Sequence, residues 1–249
     1  MYMDYKTKHK IKKIISSTLG KILNSRGRRI LMYHSLGTKV KNDIYGIYSI
    51  EKKLFESQMN YLSQNYTNSL TSIKNFAVNK NSISITFDDG FADVLEDAAP
   101  IMSKLNIPFT VFVSPKLVIE RNEYLSIIQL KELSKLDICT IGAHGYSHEP
   151  LTNLSLNNIK KEIYSSKQWL EDTLGKNVFF MSYPHGAVNN FIKNEVKNAG
   201  FISASSSKPG VNTLNSDLFE LRRTSILSHD NMSHFISKIN GDWDWTKWI

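Results

Sequence analysis

Cysteine occurs once in the 249 residues, at Cys139, so no intrachain disulfide can form and a disulfide-stapled secreted scaffold is excluded. Proline (6) and glycine (12) are sparse and no low-complexity tract is present, which excludes collagen-like and broadly disordered chains. Nowhere do roughly 18 apolar residues run together, so no membrane-spanning helix is expected. Acidic residues are nearly missing from the first 29 positions, where Asp4 stands against nine Lys and Arg; this leaves 22 of the 31 basic and 22 of the 23 acidic residues for positions 30–249. The net charge of +8 is therefore a basic tail on a neutral body, without the broad positive face that tracks phosphates. Nucleic acid is not an expected partner.

What is present suits one compact domain: 41% hydrophobic residues in a chain of this length can bury a sizeable core. Two segments are expected, a basic leader over 1–29 and a folded domain over 30–249. In the leader Ile11, Ile14, Ile15, Leu19, Ile22 and Leu23 recur at three- and four-residue steps opposite the lysines, the pattern of an amphipathic helix. Such a segment lies on an anionic membrane surface, where each basic residue contributes about 1 kcal/mol, packs on the domain as a helix, or is a frayed tail. Lysines interrupt its apolar stretch and no small-residue cleavage site follows, unlike a signal peptide. With the lone thiol, this points to a cytoplasmic protein, membrane-associated if the leader takes the first of those courses; an exported form that keeps the leader as an anchor is the alternative.

Seven short apolar runs are expected as strands: Arg29 to Tyr33, Ser82 to Asp88, Phe109 to Val113, Cys139 to His144, Phe179 to Tyr183, Ile202 to Ser205 and Arg223 to Leu227. Helical periodicities lie between most of them, over Ile50 to Tyr66, Phe91 to Leu105, Ser126 to Leu136, Ser155 to Leu174 and Asn189 to Ala199. Alternation of this kind predicts parallel strands with helical crossovers, an α/β barrel or a doubly wound sheet. Either way, ligands bind at the carboxyl ends of the strands.

Those ends carry the chemistry. The second strand runs into Asp88-Asp89-Gly90, and adjacent carboxylates repel unless a cation is present or one is protonated. The same three residues also suit a turn with an aspartate helix cap. The fourth strand ends His144-Gly145-Tyr146-Ser147-His148, whose spacing on a helical turn would put both imidazoles on one face. With one aspartate they make three ligands with open positions, the count of a catalytic rather than structural metal. Ser182-Tyr183-Pro184-His185-Gly186 closes the fifth strand with a turn whose backbone N–H groups could face a ligand. His34 ends the first strand at the same mouth.

Thr86-Phe87-Asp88-Asp89-Gly90, His144 to His148 and Tyr183-Pro184-x-Gly186, in that order, resemble the polysaccharide deacetylases, the family 4 carbohydrate esterases with the NodB-homology domain. The resemblance spans roughly residues 30 to 227. It implies a distorted (β/α)7 barrel that removes N-acetyl groups from amino sugars with one divalent metal, zinc in the usual case. Asp89, His144 and His148 then look like the metal ligands, Asp88 like the general base, and the Tyr183 backbone N–H like an oxyanion donor. Pro184, His185 and Gly186 look like substrate-binding residues. Met32-Tyr33-His34 resembles the poly-N-acetylglucosamine deacetylase branch and makes His34 a candidate acid, with His229 of Leu227-Ser228-His229 as competitor. The family's third motif often opens with an arginine that orients the base; Ser182-Tyr183 stand there instead, and Arg223 is the candidate replacement. The implied substrate is an N-acetylated amino sugar of a glycan or a lipid- or nucleotide-linked precursor. A catalytically silent carbohydrate-binding barrel, or an amidase or deformylase on a related amide, are the alternatives.

Overall fold

The computed structural model describes residues 27–40, 43–75 and 81–248, together with Lys12, Ile15 and Ser16. Most of the expected amphipathic leader lies outside the described residues. All seven expected strands form: β1 (Arg29–Tyr33), β2 (Ile83–Phe87), β3 (Phe109–Val113), β4 (Cys139–Ala143), β5 (Phe180–Ser182), β6 (Ser203–Ser205) and β7 (Thr224–Ser225). They build one parallel sheet in the order β6-β5-β4-β3-β2-β1-β7. Between the two edges a single parallel bridge joins Ser205 of β6 to Leu221, three residues ahead of β7. The result is a distorted (β/α)7 barrel.

The connections are α1 (Lys52–Tyr66), α2 (Ala99–Lys104), α3 (Pro115–Glu120), α4 (Ile127–Leu133), α5 (Leu156–Leu174) and α6 (Asn190–Asn198), with α7 (Met232–Asn240) after the last strand. Two of these, α3 and α7, were not expected from periodicity. The expected helix over Phe91 to Leu105 begins later, with a wide turn at Val94–Ala98, because Phe91 first pairs with Tyr124 across an antiparallel bridge. Ser155 and Gly175 bound α5: the Ser155 hydroxyl accepts from Asn158 N–H, and Gly175 ends the helix in the left-handed region.

Strands buried on both faces explain the continuous apolar runs. Leu31, Tyr33, Ile85, Phe87, Phe109 and Val111 belong to the large cluster that packs against the helices, whereas Ile30, Ile73, Phe112, Phe180 and Leu221 form a small separate one. The Arg223 guanidinium lies 5.7 Å from the Phe112 ring centre of that second cluster. Cys139 is buried, and burial raises its thiol pKa well above the ordinary value, so it is an inert packing residue. Of the terminal tryptophans, Trp245 is buried and donates its indole N–H to Ser16 Oγ at 2.8 Å, while Trp243 lies under the Lys238 ammonium at 5.2 Å. No helix among the described residues is long and apolar enough to cross a membrane.

Candidate active site

At the carboxyl ends of the strands a cavity of about 610 Å³ opens, with Asp88, Asp89, His144 and His148 among its lining residues. Asp88 and Asp89 sit just past β2, and they divide. Asp88 continues the ladder, its N–H donating to Tyr33 O at 3.0 Å, and its carboxylate meets Arg223. Both guanidinium Nη atoms donate to it, at 2.7 Å each, in a bidentate pair. Arg223 has no solvent exposure and also donates to Ser182 Oγ (2.7 Å) and Ser206 O (2.9 Å). Burial alone would raise the Asp88 pKa, but the Arg223 charge and hydrogen bonds, aided by His144 and His34, hold it below the usual carboxylate range.

Asp89 turns the other way, at φ 73°, a conformation that costs a non-glycine residue free energy and concentrates at functional sites. Of the four non-glycine residues with positive φ among the described ones, three belong to this site: Asp89, His148 (65°) and His185 (56°). Asp89 Oδ1 lies 2.9 Å from His148 Nε2 and 3.3 Å from His144 Nε2. It is buried, and neither ring N–H aligns with it as a hydrogen-bond donor. His144 Nδ1 is 2.8 Å from the Ser182 carbonyl, which can only accept, so Nδ1 carries the proton and Nε2 presents a lone pair. One atom from each of Asp89, His144 and His148 thus lies within 4.8 Å of the others. Lone pairs converging on one point repel without a positive charge between them. Burial would lower the His148 pKa, yet the Asp89 charge raises it. A divalent cation fits this donor set.

The two histidines do not reach this geometry by a helical turn. Residues 144–148 form a loop in which both Gly145 and His148 are left-handed, and the i, i+4 spacing converges through that reversal. Tyr183 also departs from expectation. Its backbone N–H donates to Ser205 O at 3.0 Å, extending the β5–β6 ladder, and its buried phenol donates to Phe219 O at 2.7 Å. That N–H is committed and offers no oxyanion contact, so Tyr183 is a framework residue.

His34 lines the cavity and packs on Tyr48 with ring centres 4.5 Å apart. Its Nδ1 is buried without a hydrogen-bond partner, and burial is the main cause of its lowered pKa, against the raising charges of Asp89 and Asp88. His229 is not among the cavity's lining residues. His185 does line it, its ring 4.7 Å from that of His148. Pro184 and Gly186, expected beside it as substrate-binding residues, are not among the cavity's lining residues. At Gly186 the backbone is left-handed (φ 70°) and an added Cβ would stand 2.8 Å from Ser207 Cβ, so only glycine fits. Tyr124 completes the mouth, stacked on Phe91 at 4.5 Å; burial, helped by the Asp89 charge, pushes its pKa up to about 12 and keeps the phenol protonated.

A seven-stranded α/β barrel with an Asp-His-His cluster and an arginine-paired carboxylate at its mouth defines a class of metal-competent barrel enzymes. The sequence model of the polysaccharide deacetylase family matches residues 76–204, and the chain belongs to that family. The poly-beta-1,6-N-acetyl-D-glucosamine N-deacetylase of Staphylococcus aureus (strain NCTC 8325 / PS 47) is 29% identical over 233 residues, 85% of this chain and 77% of the relative. Among solved structures, BC0361, a polysaccharide deacetylase from Bacillus cereus, is 25% identical with a TM-score of 0.76 over 86% of this chain and 69% of that one. The Streptococcus pyogenes deacetylase PplD shares the fold at 21% identity, with a TM-score of 0.76 over 86% of this chain and 98% of that one.

Proposed function

We propose that this protein hydrolyses the N-acetyl groups of an N-acetylated glycan. The observation that carries the reading is the convergence of Asp89, His144 and His148 on one point, beside a carboxylate that a buried arginine keeps ionised. A carbohydrate-binding barrel without catalysis has no use for that second carboxylate.

Asp89, His144 and His148 would hold a divalent cation, zinc being the natural choice for imidazole and carboxylate ligands. When bound, such an ion polarises a carbonyl and acidifies water. The protein's own groups supply the proton traffic. Asp88, charged and aimed by Arg223, takes the proton of the attacking water as its oxygen bonds to the acetyl carbon. His34, on the cavity wall, gives a proton to the sugar nitrogen as the C–N bond breaks, releasing acetate and the amine. Its burial-lowered pKa makes the protonated ring a stronger acid, at the expense of the fraction protonated. Similarity to the staphylococcal enzyme supports a polymeric β-1,6-linked N-acetylglucosamine substrate over a lipid- or nucleotide-linked one.

The test is mass-spectrometric detection of acetyl loss from oligomeric, lipid-linked and nucleotide-linked N-acetylated amino sugars, with and without a chelator. Chelator-sensitive loss of about 42 mass units per sugar is expected, the difference between an acetyl group and the hydrogen that replaces it. Failure to deacetylate any of the three classes with zinc supplied would refute the reading.

A further inference from the structure

Because residues 144–148 are not helical, something other than an i→i+4 ladder must hold the two imidazoles in place. The loop's start is anchored to the strands: His144 N–H donates to Val113 O at 2.9 Å, and Ser114 Oγ donates to His144 O at 2.6 Å. Its middle is held from a helix. The successive N–H groups of Tyr146 and Ser147 both donate to Glu162 Oε2, at 2.8 Å each, and the Ser147 hydroxyl donates to Oε1 at 2.7 Å. Two consecutive N–H groups beside a left-handed glycine form a concave anion site, and the carboxylate of α5 fills it. The contact is close: a Cβ on Gly145 would lie 3.3 Å from Glu162 Oε2 and 3.0 Å from Pro184 Cγ.

We propose that Glu162 is a positioning residue for the metal site. Its Oε2 accepts from the N–H groups that the reversed loop turns outward, and so holds His148 in the left-handed backbone that aims Nε2 at Asp89 Oδ1. The proposal rests on Asp89, His144 and His148 being metal ligands. Glu162 touches none of their ring or carboxylate ligand atoms; it acts on the backbone of the two residues that precede His148.

The experiment measures Zn²⁺ affinity of the purified full chain by competition with a chromogenic chelator, and the visible spectrum of the Co²⁺ form. Removing the partner of a metal ligand typically weakens metal binding by about 10- to 100-fold, and E162A is expected to fall in that range with an altered Co²⁺ spectrum. E162Q should retain most of the affinity, since its amide oxygen can accept both N–H groups while its NH₂ turns to the Ser147 hydroxyl. Zn²⁺ binding by E162A as tight as wild type overturns the proposal alone. Wild-type protein that holds no Zn²⁺ overturns the metal reading and the proposal with it. Should E162A not fold, S147A decides: several-fold weaker Zn²⁺ binding with an unchanged thermal midpoint of the metal-free protein supports the proposal, and unchanged affinity overturns it.

Discussion

Replacing Arg223 by methionine removes the guanidinium charge paired with Asp88 inside the barrel and keeps most of the side chain's length. Asp88 is only 3% exposed, so its carboxylate would then be buried with Ser182 Oγ at 3.4 Å and His144 Nε2 at 3.9 Å as its remaining close side-chain partners. Removing one member of a buried ion pair costs about 3–5 kcal/mol, because the surviving charge is uncompensated. For a chain of this size, about 1 kcal/mol shifts the thermal midpoint by roughly 2–4 °C, so R223M is expected to melt about 6–20 °C lower. Introducing D88N into R223M removes the stranded charge, and the double variant should be more stable than the sum of the single losses predicts, by about 0.5–3 kcal/mol. R223K keeps the charge but cannot match both carboxylate oxygens with a planar fork, and falls between wild type and R223M. Denaturant unfolding of the metal-free proteins checks all four, so that metal loss does not enter the comparison. An R223M variant within about 1 kcal/mol of wild type, or strict additivity in the cycle, would show that the pair is not the electrostatic unit its geometry describes.

H34A is expected to lower turnover by about 10²- to 10⁴-fold while keeping one Zn²⁺ per chain, and H229A to stay near wild type; the reverse result in a steady-state deacetylation assay would reassign the acid. D89A and H144A should lose bound Zn²⁺ and activity together, measured by elemental analysis beside the assay, whereas D88N should keep the ion and lose rate. Full zinc occupancy in D89A would remove it from the ligand set.

The strands were legible because both faces of a parallel sheet are buried, which turns each strand into a short apolar run with a polar tip. The missed helix α7 had signals of its own: Asn231 accepts from His234 N–H as a cap, Gly241 ends the helix in the left-handed region, and Phe235 and Ile239 lie four apart on its buried side. The six-residue α3 is too short for periodicity to register. Glu162 carried no local signal at all, since a glutamate on a charged helix reads as a solvated face until the fold brings a loop 15 and 16 residues away against it. The histidine pair was legible as a pair but not as a loop, although Gly145 directly after His144 argues against a helical turn there. Tyr183 failed for a non-local reason: only the register of β6 shows that its N–H is taken by Ser205.

The adjacent carboxylates show most directly how far spacing alone can reach. In a regular strand, neighbouring side chains point to opposite faces, so Asp88 should follow Thr86 into the barrel and Asp89 should follow Phe87 toward the helices. Asp88 does follow Thr86: Arg223 donates to both. Asp89 does not follow Phe87, because its left-handed backbone breaks the alternation and swings the carboxylate back to the two imidazoles. One strained residue thus brings both acids to a single cavity with different partners, an arginine for Asp88 and two imidazole nitrogens for Asp89. Under the proposed function, that division would let Asp88 accept a proton while Asp89 serves as a ligand, and the glycine at position 90, itself at φ 80°, carries the chain onward from the turn.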